Sequence, residues 1–399
     1  MDLVPDNIAH GGSAVARIGG KAFFVDGALP GETIAADVEL EKGSWGRLRL
    51  REVLVPSPSR VEPRCRHFGS CGGCQWQFAA YGRQLVWKRA IVIGQLEHLG
   101  NERHPPVRPT VAPGPPFGYR NRMDFGTVAG DLALLARRSR RKVPVSGCDV
   151  IHANLAEVLP RLGRLDGVRE LTLRTATTTG AVLAIVSGDV PDHAVEWGCA
   201  VARETSRGLE PIIGEPELFE TVAGVRFRIT GRAFFQNNTA GAEELIRLVA
   251  AAAAVGPEDT LLDAFAGGGL FAATVGRDAA RVLAVERDAV AAADLRHNLA
   301  GIGAPRLLRG DVSALPGTGE RWDVAVADPP RRGLGEQGVI ALTGGAPHTI
   351  AYVSCDPASL ARDTRLLHDA GYDLEWVTPV DMFPQTFHVE CVARYRRSS

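Results

Sequence analysis

From about residue 240 to the C-terminus, short apolar runs alternate with helix-length stretches, and this rhythm constrains the chain more than any other feature. The runs are TLLDAF, RVLAVE, RLLRG, WDVAVAD, TIAYVS, YDLEWV and VECVARY. Apolar strands separated in this way specify a parallel sheet with helices on both faces. Open sheets of this kind bind ligands beyond the carboxyl ends of their strands. The residues that end these runs are therefore the first candidates for a functional site.

The rest of the chain reads differently. Residues 1–56 alternate β-rich runs (GSAVARIGG, KAFFVDGALPGE, TIAADVELE, RLRLREVLV) with Gly and Pro turns, which predicts a small OB-like β-barrel. PSPSRVEPRC reads as a linker. Residues 57–235 are mixed, with strands at ELTLRTATT and AVLAIVSG. The stretch YGRQLVWKRAIVIGQLEHLG predicts one long amphipathic helix, with Leu85, Ile91, Leu96 and Leu99 on its buried face and the C-terminal α/β unit as a surface it could pack on. Residues 236–399 form the third unit. The expected architecture is thus a β-barrel, a mixed α/β central domain and a Rossmann-like α/β domain. No apolar run of about 18 residues and no signal peptide is seen, so a cytoplasmic chain without a membrane span is expected.

The formal charge of −1 conceals an asymmetry. Between Arg47 and Lys142 stand 18 Lys and Arg against 6 Asp and Glu, a net of +12 that the remainder offsets with −13. A segment this basic suggests a polyanionic partner, and its densest piece is RRSRRK, Arg137 to Lys142.

LLDAFAGGGLF places Asp263 at a strand end, followed by Gly267, Gly268 and Gly269 ahead of an expected helix. Glycines there let a ligand approach the backbone. Glu286 closes the next strand, where an acid can accept both ribose hydroxyls, and Asp311 follows the third strand, within reach of an adenine edge. The dinucleotide fingerprint and the Walker lysine are both missing, so an adenosyl ligand without a pyrophosphate fits better: S-adenosylmethionine rather than a nicotinamide dinucleotide. The fourth strand ends in Asp328 with Pro329 and Pro330, and Cys355 ends the fifth on the same edge. Asp356 and Pro357 then start a helix as N-cap and first residue. A helix N-terminus stabilises a thiolate, which suits a nucleophile. A small residue closing a turn is the plainer reading of Cys355.

Seven cysteines are too scattered for a disulfide scaffold. Cys65, Cys71 and Cys74 cluster, and Cys148 stands alone downstream. Three close thiols with one remote partner suit structural zinc or an iron–sulfur cluster. Cys199 and Cys391 read as packing residues.

Together, these motifs with YRNRM, FFQNN, DPPR, SCDP and HVEC resemble the RNA 5-methyluridine methyltransferases, specifically the iron–sulfur 23S rRNA uracil-5 type. The resemblance covers nearly the whole chain. It implies a TRAM-type RNA-binding barrel at the N-terminus and a [4Fe-4S] cluster on Cys65, Cys71, Cys74 and Cys148. It implies Cys355 as nucleophile, Glu390 as base, and Gln236, Phe265, Glu286 and Asp328 as residues holding the donor or the target base. The implied partner is RNA, ribosomal before transfer RNA, and a monomer is expected. One departure stands out: the family's Cys-Gly-x-Gly-Asn is here Ala266, Gly267, Gly268, Gly269 and Leu270. Trp76, Phe78, Tyr119 and Phe125, set among arginines, are candidates for stacking on bases or for the core. Two rival readings remain: methylation of a base amino group, with Arg331 standing where that motif has an aromatic, and an RNA-binding iron–sulfur protein without activity.

Overall fold

The computed structural model describes residues 1–303 and 305–398. Its C-terminal sheet has seven strands. In spatial order they are Arg306–Arg309, Arg281–Glu286, Thr260–Ala264, Val324–Ala327, Thr349–Ser354, Glu390–Arg397 and Tyr372–Val380. Each of the seven apolar runs supplies one strand. Five are parallel, while Glu390–Arg397 runs antiparallel to both its neighbours. The order reverses between Thr260–Ala264 and Val324–Ala327, which makes the carboxyl ends of these strands the binding crevice.

Alternate side chains along these strands feed two cores. Leu261, Ala284, Val326 and Val353 pack on one face with the helix Thr239–Ala253. Leu262, Val285, Ala327 and Tyr352 pack on the other with the helices Gly335–Thr343 and Pro357–Asp369.

Two pieces from before residue 236 join this unit. The hairpin Glu217–Val222 and Val225–Thr230 places Val222, Phe227 and Ile229 in the first core, and Arg228 pairs with Asp294 at 2.9 Å. Helix Tyr81–His98 places Val92 and Leu96 in the second core, and Val107 and Val111 bridge onto the edge strand at Val377 and Val380. The packing therefore crosses the expected boundary at 235/236. The helix face also differs from expectation. Leu99 is 39% exposed as the C-cap and Leu85 is half-buried, whereas Gln84 and Lys88 are fully buried.

The N-terminal region is a six-stranded sheet containing Ala14–Ile18, Lys21–Val25, Thr33–Glu41 and Trp45–Val55, with three irregularities where the two long strands pair. Such irregularities bend and coil a sheet. The central region holds a second seven-stranded sheet, mixed in direction, with Val168–Thr175 near its middle. Trp76, Phe78, Tyr119 and Phe125 are all buried, which removes them as stacking platforms. Among the described residues, no helix is long and apolar enough to cross a membrane.

Candidate active site

The turn after Thr260–Ala264 is built around Phe265, whose φ of 62° is rare for a side chain with a Cβ, and Gly269 at φ +88°. The positive φ of Gly269 favours glycine, and a Cβ there would also stand 2.7 Å from the Leu295 side chain. No regular helix follows. Residues 265–274 form successive tight turns that end in the short 3₁₀ segment Val275–Asp278, which corrects the expected glycine-turn–helix. Leu270 faces inward and is buried in the first core, so it packs rather than lining the crevice.

Two acids flank this turn. Glu286 accepts the Gly267 N–H at 2.8 Å and the Asp288 N–H at 2.6 Å, which fixes its carboxylate at the strand end. Asp263 is fully buried; one oxygen accepts the Ala272 N–H at 2.8 Å and the other has no partner among the described residues. Burial, with Asp328 and Glu286 nearby, pushes Asp263 up to about 8. Asp311 is exposed and engaged elsewhere, capping Ser313 and facing Arg287 at 3.4 Å.

Asp328 follows the adjacent strand Val324–Ala327 and is half-buried. Burial raises it to about 7. Gln236 is buried and donates to Asp328 at 3.5 Å, and its own carbonyl accepts from Asn121 of YRNRM at 3.1 Å. This is one job of that motif: Asn121 also donates to Thr239 and so holds the FFQNN turn against the helix that follows.

Cys355 and Glu390 meet because Thr349–Ser354 and Glu390–Arg397 are paired with Ser354 opposite Cys391. The register sets the thiol beside the carboxyl group. Cys355 is half-buried and pushed up to about 12, first by burial, then by Glu390 and Asp328, with Arg331 opposing. Glu390 is 5% exposed, and burial with the neighbouring Asp328 carries it well above the usual carboxylate range. The site thus gathers Gln236, Phe265, Gly267, Glu286, Asp328, Cys355 and Glu390 on one sheet edge. Asp311 stands at its margin, committed to its own turn.

The four clustered cysteines assemble elsewhere. Cys65, Cys71, Cys74 and Cys148 line one cavity of about 600 Å³ together with Arg120 and His388. Burial and the mutual repulsion of their thiolates raise Cys74 to about 12 and Cys148 to about 11. Among the described residues no three His, Cys, Asp or Glu side chains are grouped as ligands of a metal ion. Cys391 is buried in the second core and Cys199 is half-buried. In the basic loop, Arg137 and Arg138 both pair with Asp26 of the N-terminal sheet, at 3.0 and 2.9 Å, which leaves Arg140 and Arg141 exposed.

The sequence reading did not single out His10, which reaches Asp356 from the N-terminal sheet, or His388, which lines the cysteine cavity two residues before Glu390. The His-Gly-Gly tripeptide ahead of a strand was the available signal for the first, and the HVEC motif for the second.

Residues 246–340 match the family model described as conserved hypothetical protein 95. An uncharacterized RNA methyltransferase of Gloeobacter violaceus is 35% identical over 436 residues, covering 98% of this chain and 95% of the relative. Another, from Streptomyces avermitilis, is 33% identical over 418 residues, covering 97% and 95%. The crystal structure of Pyrococcus abyssi tRNA (uracil-54, C5)-methyltransferase with S-adenosyl-L-homocysteine superposes with a TM-score of 0.80 at 24% identity, covering 99% of this chain and all of that one, and so shows a shared fold. On the strength of relatives matched end to end, the chain belongs to the RNA methyltransferase family.

Proposed function

We propose that the protein transfers a methyl group from S-adenosylmethionine to carbon 5 of a uridine in RNA. The observation that carries this reading is the pairing of a thiol, Cys355, with a buried carboxyl, Glu390, across two adjacent strands at the crevice. Methylation of an amino group needs no thiol; methylation of a weakly nucleophilic ring carbon does.

The acids of the crevice suit the donor. Asp263, Asp328 and Glu390 are all held above the ordinary carboxylate range by burial, and Asp328 adds to the rise at the other two, so a cation bound among them would be favoured. The donor supplies an electrophilic methyl on a positively charged sulfur. In this reading Glu286 takes its ribose hydroxyls and the glycine turn after Phe265 meets it through the backbone.

Burial with Glu390 and Asp328 nearby holds Cys355 towards the neutral thiol. A sulfonium beside Asp328 and Glu390 would offset the charges that suppress its ionisation. The thiolate then adds to carbon 6 of the uracil and the electron pair moves to an enolate, which makes carbon 5 nucleophilic. Once carbon 5 has taken the methyl group, Glu390 removes its proton, the 5,6 double bond re-forms and the bond to Cys355 breaks. In this reading Gln236 and Asp328, hydrogen-bonded to each other, hold the polar edge of the base. A stacked uracil cannot reach the thiol, so the target must be flipped or looped out. The basic Arg47–Lys142 segment and the N-terminal sheet, read as TRAM-like, supply phosphate contacts in compensation.

Cys65, Cys71, Cys74 and Cys148 line one cavity, and three close thiols with one remote partner suit an iron–sulfur cluster as the resemblance implies. In this reading Cys65, Cys71, Cys74 and Cys148 hold a [4Fe-4S] cluster that shapes the RNA-binding surface. Methyl transfer exchanges no electrons, so no redox step is assigned to it.

Incubation of the anaerobically purified protein with S-adenosylmethionine and RNA containing 5-fluorouridine tests the proposal. Fluorine at carbon 5 cannot leave as a proton, so an adduct through Cys355 should survive denaturing electrophoresis. Sequencing the trapped RNA then distinguishes ribosomal from transfer RNA. If the donor binds and nothing is trapped, the thiol mechanism fails and amino-group methylation takes its place.

A further inference from the structure

The loop after Asn7–Ile8 in the N-terminal sheet reaches the candidate site's edge. His10 Nε2 stands 3.4 Å from Asp356 Oδ2, while the other oxygen of Asp356 accepts the Ser359 N–H at 2.8 Å and caps the helix Pro357–Asp369. The carboxylate next to the nucleophile therefore has one oxygen committed to the helix and one facing another part of the molecule. The loop is internally closed, Ala9 N–H to Ser13 O and Gly12 N–H to Ala9 O, both at 2.9 Å. It can approach because residue 12 is glycine: its φ is +83°, and a Cβ there would stand 2.7 Å from Cβ of Phe387. Trp76 Nε1 donates to Gly12 O at 3.0 Å and fixes the loop from the central region. The reaction as proposed assigns no role to this junction.

We propose that His10 is a positioning residue of the active site, acting through Asp356 on the thiol of Cys355. The charges facing that thiol are Glu390, Asp328 and Asp356, which oppose its ionisation, and Arg331, which favours it. An N–H donated by His10 draws on the Asp356 carboxylate and weakens its opposition. Arg331, His388, Lys88 and Arg120 are further charged or titratable groups near this junction, and His388, half-buried, feels the charges of Arg331, Lys88, Arg120 and His10. Docking of the N-terminal sheet is thereby coupled to the reactivity of the nucleophile. RNA gripped by that sheet would act on the same loop.

The role in catalysis rests on the reading of Cys355 as nucleophile, but the thiol can be read directly. Alkylation of Cys355 by iodoacetamide is followed by mass spectrometry of its peptide across pH, on the full chain without donor or RNA. His10→Ala should slow alkylation about threefold at mildly alkaline pH and move the midpoint of the profile up by about half a unit. His10→Gln, which keeps a donor, should restore most of the rate. In an Asp356→Asn background His10→Ala should change nothing further. Unchanged alkylation in His10→Ala overturns the proposal, and so does equal slowing or acceleration in both backgrounds, the mark of a loop that merely packs. Failure of the methylation reading would show instead in the 5-fluorouridine experiment.

Discussion

The ammonium of Lys88 stands 2.5 Å from a carboxylate oxygen of Asp381, and neither side chain has exposed surface. Lys88 also donates to Phe383 O at 3.2 Å. One turn away, Gln84 and Gln385 exchange two hydrogen bonds, from Gln84 Nε2 at 3.0 Å and from Gln385 N at 3.1 Å. Gln385 itself has φ 70°, and its carbonyl accepts the N–H groups of Gln75 and Trp76. The segment leading into Glu390 is thus held in a strained shape by a helix almost 300 residues earlier in the chain.

Removing one partner of a buried pair leaves the other charge without compensation, at a cost of about 3–5 kcal/mol. Lys88→Met is expected to lose that much stability in urea unfolding. Combining it with Asp381→Leu should recover most of the loss. A cost below about 1 kcal/mol for the single change would mean the pair does not anchor the segment.

Asp328 illustrates a site that works against the fold. Its folded value is raised to about 7, whereas the unfolded chain ionises near 3.8. The stability linked to this group is therefore intact below about pH 4 and is lost as pH rises towards 7. Asp328→Asn should stabilise the protein by about 1–3 kcal/mol at neutral pH, allowing for the open part of the side chain and for its coupling to Glu390. The gain should shrink towards zero at acid pH, read from denaturation midpoints across that window. Methyl transfer should be lost in the same variant.

The C-terminal sheet was legible because its strands are bounded apolar runs that end at or next to Asp263, Glu286, Asp328 and Cys355. Buried parallel strands leave little room for another reading. The helix Tyr81–His98 was legible as a helix but not in its burial. Gln84 and Lys88 face inward because of Gln385 and Asp381, and no local pattern carries partners that distant. The turns after Phe265 were misread as a helix because small apolar residues there, Ala272 and Ala273, are helix formers buried by tertiary packing instead. His10 was missed for the same reason as Lys88: its partner lies in another domain.

The cysteine cavity predicts a measurable load. Anaerobically purified protein should carry about four iron and four sulfide per chain. Cys148→Ala should abolish most of that and weaken RNA binding, while S-adenosylmethionine still binds by calorimetry, because the cavity lies apart from the Gly267–Glu286 crevice. Stoichiometric zinc in place of iron would overturn the cluster assignment.

Glu390 allows the two halves of the reaction to be separated. Cys355→Ala removes the bond to carbon 6, so neither methylation nor any adduct should be detected. Glu390→Gln leaves the nucleophile and the carbon 6 attack in place but removes the base that takes the carbon 5 proton. Its turnover should fall by at least about a hundredfold. Because methyl transfer precedes proton removal, the variant should accumulate a covalent complex with ordinary, unfluorinated RNA already bearing the new methyl group. Gel-shifted protein carrying labelled methyl from the donor is the signature. Slow turnover without that species would place Glu390 before the carbon 6 attack, as a group that orients the base or takes the thiol proton from its neighbour Cys355.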